Sequence, residues 1–143
     1  MRRLGAGLLL ALAAPAWALD FASTQRAAIL YDAPSPAADK IAVISAGYPL
    51  EKLVTVTGWT KVRDEAGKLA WIEESALGDK RTLLVKVPVA QAQERPDDNA
   101  PVSFRAAQGV ILELLPEQAN GWAKVRHAGG QQGYVRLRDV WGL

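Results

Sequence analysis

Gly58-Trp59-Thr60-Lys61-Val62-Arg63, closed by Trp71-Ile72, returns later in the chain as Gly121-Trp122-Ala123-Lys124-Val125-Arg126, closed by Tyr134-Val135. Five of the six hexapeptide positions are identical, and the copies lie 63 residues apart. Each closing aromatic falls 12 residues after its tryptophan. A duplication with constant internal spacing marks two related units in tandem. On a strand, residues i and i+2 share a face, so Trp59, Lys61 and Arg63 point one way, and Thr60 and Val62 the other. Two long cations belong in water. Val62, and Val125 in the second copy, are therefore the core residues, while Trp59 and Trp122 lie on or at the rim of an outer face.

Working outward, Gly47, Leu50 and Glu51 match Gly109, Leu112 and Glu113 at a spacing of 62. The turn before the second motif, Glu117-Gln118-Ala119-Asn120, gains one residue, and Pro34 matches Pro96 in a polar, proline-bearing loop. Long helical periodicity is missing after Leu19. Short β-rich runs recur about every 8–12 residues, the signature of a small barrel or sandwich. In the first unit these are Ala28 to Tyr31, Ile41 to Ile44, Leu50 to Val56, the motif itself and Leu69 to Glu73; Glu74 to Leu77 suits one tight helical turn. Thr82 to Val89 is a further β-rich run. The connection Gly78-Asp79-Lys80-Arg81 is short and not of the Gly/Ser type that makes a flexible tether, so a fixed relation between the units is expected.

The first eighteen residues stand apart. Arg2 and Arg3, an apolar run from Leu4 to Ala14, and Ala16-Trp17-Ala18 have the layout of a cleaved signal peptide. The run breaks at Pro15, short of the ~20 residues that a spanning helix needs. A periplasmic protein with no stable membrane anchor is expected. The chain has 17 basic and 15 acidic residues, but two of the basic ones are Arg2 and Arg3, leaving 15 of each. No net basic field remains to attract nucleic acid. Cysteine is absent, which excludes a disulfide framework and thiolate chemistry. Units of ~60 residues bury only about 60% of their unfolded surface, so mutual packing is expected.

Gly-Trp-x-Lys-Val-Arg, a Gly-bearing hairpin, an aromatic-aliphatic pair, and the earlier Leu30-Tyr31-Asp32-Ala33-Pro34-Ser35 resemble the bacterial SH3 (SH3b) domain. The second copy, with Gln91-Ala92-Gln93-Glu94-Arg95-Pro96, keeps the proline but lacks the aromatic. As a whole the chain resembles tandem-SH3b exported proteins of Gram-negative bacteria. The resemblance implies an all-β fold of two five-stranded, strongly bent barrels, with a signal peptide over 1–18, one SH3b domain over 19–78 and a second over 79–143. It also implies binding rather than catalysis, often of cell-wall peptides or partner proteins.

The residues themselves offer little catalytic chemistry. His127 is the sole histidine, and it stands where the first unit has Asp64. None of the five serines sits in a nucleophile elbow or a Ser-x-x-Lys context. Glu73-Glu74 and Asp97-Asp98 are adjacent acids; on a continuing strand such neighbours point to opposite faces, and solvated charge is the simplest account of them. No metal site or cofactor is expected. In SH3-like barrels, loop aromatics line a groove with the outer tryptophan. That makes Tyr31, Tyr48, Trp59 and Lys61 the candidate ligand-binding residues, and Trp122, Lys124 and Arg126 the secondary set. The second unit has Gln93 and Val110 where the first has its tyrosines, so its aromatic groove is degraded. Trp71 and Tyr134 are expected to be structural, and Trp141 is placed to fold back onto a barrel. The expected activity is that of a monomeric, non-enzymatic adaptor that recognises a cell-wall peptide or envelope protein. Two alternatives stand beside it: a structural protein whose outer tryptophans form the contact between units, and an envelope hydrolase.

Overall fold

The structure, a computed structural model, describes residues 19–143; the expected signal peptide lies outside the described residues. The described chain is all-β. The first unit comprises β1 (Phe21–Thr24), β2 (Ala28–Tyr31), β3 (Lys40–Ile44), β4 (Pro49–Val56), β5 (Trp59–Arg63), β6 (Leu69–Glu73) and β7 (Leu77–Gly78). The second comprises β8 (Thr82–Val85), β9 (Val89–Gln93), β10 (Val102–Ala107), β11 (Ile111–Ala119), β12 (Trp122–Arg126), β13 (Gln132–Arg136) and β14 (Val140–Trp141). Each unit is one bent antiparallel sheet, in the order β3-β2-β6-β5-β4-β1-β7 and, correspondingly, β10-β9-β13-β12-β11-β8-β14. The five expected strands are β2 to β6, and the expected tight turn is the 3-10 turn Glu74–Ala76. Two strands per unit extend that count. The short β1 carries no clear alternation of its own, and β7 is only two residues long. The run from Thr82 to Val89 is broken between β8 and β9.

Strand parity sets the core. Thr60 and Val62 on β5, and Val125 on β12, have no exposed surface or none measurable, and Ala123 is 3% exposed, whereas Trp59, Lys61 and Arg63 stay half-buried on the other face. Leu50 and Leu112, one from each unit, are fully buried beside these valines. The two cores exchange volume at matched places. Leu30 of the first unit is replaced by Ala92 and Ala70 by Gly133, while β8 brings Leu83 and Val85 inward where β1 has Ala22 and Thr24. Swaps that conserve total volume are the kind a core tolerates best. The motif glycine has a conformational role. Gly58 and Gly121 adopt φ of 78° and 81° with nothing within 4 Å of an added Cβ, so the tight turn into the tryptophan, and not crowding, requires glycine there.

β1 and β8 join the units. All four residues of each strand are buried, because one face covers its own core and the other meets the neighbouring unit. At the seam the Ser23 hydroxyl lies 2.7 Å from Thr82 Oγ1, and the Thr82 N–H donates to Ser23 Oγ at 3.1 Å. The Thr82 hydroxyl donates to the Gly47 carbonyl at 2.6 Å, which leaves Ser23 as donor in the hydroxyl pair. Trp141 does fold back, onto the first unit: its ring meets Phe21 edge-on at 5.1 Å. Arg81 donates to the Gly142 carbonyl at 2.6 Å. The seam is thus made by β1, β8, the 47–49 corner and the chain end, and not by the motif tryptophans. That arrangement removes the alternative in which Trp59 and Trp122 form the contact between units.

Two threonines make opposite predictions for one substitution. Thr60 Oγ1 is buried without a hydrogen-bond partner, and the second unit has Ala123 at that place; an unsatisfied buried hydroxyl costs roughly 1–3 kcal/mol. Thr60→Val should therefore raise the urea midpoint, by about 1 kcal/mol in stability. Thr82→Val strips the partner from Ser23 and Gly47 and should lower stability by roughly 1–3 kcal/mol. Shifts of the same sign in both variants would refute this reading of the seam.

Candidate functional site

The first unit's outer face is assembled around Trp59 at the start of β5. The Tyr31 ring meets Trp59 edge-on, with centroids 5.3 Å apart and planes at 87°. Tyr31 is 8% exposed, and its burial comes from its own unit, since its backbone is in register with Trp71 of β6 and Lys40 of β3. An edge-to-face pair directs the positive ring edge of one aromatic at the negative face of the other, worth about 0.5–1.5 kcal/mol beyond area burial. Tyr31 therefore fixes the tryptophan ring from behind. In front of Trp59 lies an open cleft of about 620 Å³, lined by Pro36, Gly58, Trp59, Glu73, Glu74 and Ser75.

The cleft walls follow from local structure. Strand β6 ends at Glu73, and the next residue enters the 3-10 turn, whose Glu74 N–H donates to the Gly58 carbonyl at 2.9 Å. The parity argument that separated Glu73 from Glu74 fails because the strand stops between them, and both residues line the same cleft. Gln25 and Arg26 hold the turn from below. Gln25 Nε2 donates to the Ser75 carbonyl at 2.7 Å, and Arg26 Nη2 reaches Glu73 Oε2 at 3.3 Å and Ser75 Oγ at 3.2 Å. Pro36 comes from the long loop between β2 and β3. Neither acid nor Pro36 was singled out for binding by sequence. The usable signal was the alignment of the two long loops at Pro34 and Pro96.

The expected constellation assembles only in part. Tyr31 and Trp59 are together. Lys61 shares their sheet face opposite Trp71, outside the cleft lining. Trp71, with Ala70 and Ile72 turned inward beside it, lies on the outer face between Tyr31 and Lys61 in register. Tyr48 does not join the constellation. Its N–H donates to Thr24 Oγ1 at 2.9 Å, its carbonyl accepts from the Thr24 N–H at 3.0 Å, and its ring packs on the core. It faces the Asp64-Glu65 turn at the far end of β5, roughly 13 Å along the strand from Trp59.

In the second unit every secondary candidate is engaged internally. The Arg136 guanidinium lies 4.5 Å from the Trp122 ring centroid and pairs with Asp98 of the long loop. Lys124 lies over the Tyr134 ring at 5.8 Å and 3.5 Å from Glu117. Arg126 pairs with Glu113 across the ladder, as Arg63 does with Glu51. Gln93, which replaces Tyr31, donates to the Asp98 carbonyl at 2.9 Å and ties the loop down. A second cleft of about 610 Å³ runs beside Trp122 past Leu114, Leu115 and Leu143. His127 Nδ1 accepts from the Gly129 N–H at 3.0 Å within the hairpin turn, and Ser103 Oγ donates to the Gln132 carbonyl at 2.6 Å.

The bacterial SH3 domain family model matches residues 25–79 and again 86–142. No curated protein matched the sequence. Among solved structures the chain is similar to NlpC1 from Trichomonas vaginalis, at 15% identity and a TM-score of 0.40, over 93% of this chain and 49% of that one. NlpC2 from the same organism matches at 14% identity and 0.39, over 87% and 48%. An NlpC/P60 family protein from Bacillus cereus ATCC 10987 matches at 17% identity and 0.39, over 85% and 56%. The chain spans about half the length of these proteins.

Tyr48 yields a pH prediction. Burial first, then the negative charges of Glu65 and Asp64, push its phenol above the ordinary value of 10.0. A raised folded value favours the neutral phenol in the native state. Its contribution to stability is thus fully present below pH 10.0 and is lost as pH rises through the folded value. Tyr48→Phe should unfold less steeply than wild type above that pH in urea titrations. Parallel curves for the two proteins would contradict the assignment.

Proposed function

The chain belongs to the bacterial SH3 domain family, and we propose on that footing that it is a non-catalytic binding protein of the periplasm. It recognises cell-wall peptides through the cleft in front of Trp59. The observation that carries this reading is the difference between two matched tryptophans: both border a cleft, but Trp59 is braced by Tyr31 beside Glu73 and Glu74, while Trp122 already holds the Arg136 guanidinium over its ring. A tryptophan held in place and partly exposed gives a large contact area at low entropy cost. The non-catalytic reading is supported by where the few nucleophilic or basic groups are used, with His127 bonded within its own hairpin turn and Ser103 bonded to the Gln132 carbonyl of β13. Two packed units, one of whose matched tryptophans already holds an arginine over its ring, suit an adaptor with a single principal site.

Retention on purified sacculi tests the reading. Trp59→Ala should reduce the bound fraction about tenfold, the loss of ~1.4 kcal/mol expected when an anchoring aromatic is removed. Trp122→Ala should bind as wild type but melt at a lower temperature, because it strips the Arg136–Asp98 pair of its platform. Wild-type retention by Trp59→Ala, or release of soluble fragments from sacculi by the wild-type protein, would overturn the proposal.

A further inference from the structure

The two units show the same tryptophan with opposite electrical surroundings. In the second, Arg136 stands across the ladder from Trp122, its guanidinium over the ring and held by Asp98. The matched positions in the first unit follow from the repeat spacing. Glu73 stands across the ladder from Trp59 as Arg136 does from Trp122, 63 residues on, and Pro36 precedes Asp98 by the same 62 residues that separate Pro34 from Pro96. Pro36 and Glu73 are both walls of the cleft in front of Trp59. The second unit therefore fills the position over its tryptophan with a cation of its own, locked by an acid from the long loop. The first unit has neither partner. In their place Glu73 and Glu74 line the same space.

A tryptophan face attracts organic cations through its quadrupole, and nearby carboxylates add to that attraction. Arg26 touches one oxygen of Glu73 at 3.3 Å, but both partners are about half exposed, at 49% and 45%, so this is a surface pair of small worth. The two partners of Arg26, Glu73 and Ser75, belong to the cleft wall, while Arg26 itself is not part of the lining. We infer that the Trp59 cleft takes a cationic group, a primary ammonium carried by a cell-wall peptide, in the place that Arg136 occupies over Trp122. The inference rests on the peptide-binding reading above and adds its chemistry: the recognised feature is a free amine, and a neutral peptide of equal size is rejected. The second unit serves as the filled counterpart and binds no amine.

Two probes separate the inference from the reading it rests on. In the first, the isotopically labelled chain is titrated with Nα-acetyl-lysine methylamide and with its Nε-acetylated, neutral counterpart, while the indole N–H resonances of Trp59 and Trp122 are followed. The amine should shift Trp59 saturably, the neutral compound should not, and Trp122 should stay still. Glu73→Gln combined with Glu74→Gln, a change confined to half-buried or exposed side chains, should weaken the amine about tenfold. Raising salt from about 0.05 M to about 0.5 M should weaken it too, as for an exposed charge contact. Equal shifts with both compounds, or an unchanged titration in the double variant, would overturn the inference. In the second, sacculi are compared before and after acetylation of their free amines. Loss of retention on acetylation supports the inference. Equal retention on both, with Trp59→Ala retained on neither, leaves the peptide reading standing and removes the cation. An amine titration at Trp59 with no retention on sacculi of either kind does the reverse.

Discussion

Alternation of side chains along a β-strand is the constraint through which this molecule acquires both its core and its outer face. Five residues carry it in each unit. In β5 the residues at even positions, Thr60 and Val62, are sealed in the core, and those at odd positions, Trp59, Lys61 and Arg63, are held outside. The strand cannot move one set without the other, because a slip of a single residue would exchange the two faces. Arg63 and Arg126 strengthen the register from the exposed side. Each is paired across the ladder with an acid, Glu51 or Glu113, that the fold partly shields. The motif is thus a register lock whose outward tryptophan comes with it.

The seam between units solves a different problem. A sheet of this size leaves too much surface uncovered to be comfortable alone, and the chain answers by burying β1 and β8 on both faces. A doubly buried strand must find partners for its polar groups on the side that would otherwise meet water. Ser23, Thr82 and the Gly47 carbonyl supply them for one another, and the aromatic contact of Phe21 with Trp141 closes the edge. The contacts named at the seam are hydroxyl, carbonyl and aromatic, with Arg81 donating to a backbone oxygen.

How far the structure could be read in advance follows from which features are local. The duplication, the parity of β5 and β12, the tight turn after β6 and the paired long loops depend on neighbours in sequence, and all were legible. β1 was not, because a four-residue strand buried on both faces has no alternation to betray it, and its burial comes from Thr82, 59 residues away. Tyr48 misled because its sequence position resembles that of a loop aromatic, while its backbone bonds to Thr24 set it at the opposite end of the barrel from Trp59. At Glu73 and Glu74 the parity argument runs out. Parity is valid only while the strand continues, and here the strand ends between them.

The Arg136–Asp98 pair shows how duplication separates scaffold from site. Both units needed the same strand, turn and tryptophan, because the core valine two positions past the inward threonine or alanine comes with them. Nothing in the core depends on what covers the tryptophan from outside. That position was free to diverge, and it did so through charge: an arginine held by an aspartate lies over the second unit's ring, whereas a glutamate and a proline take the matched places in the first. The residue behind the ring changed as well. In the first unit Tyr31 packs against the tryptophan and holds it. Where the loop is latched by its own acid, Gln93 takes that position and bonds the loop backbone. An aromatic brace is useful to a surface that must stay ordered while empty, and a hydrogen-bonding glutamine is useful to a loop that must stay shut.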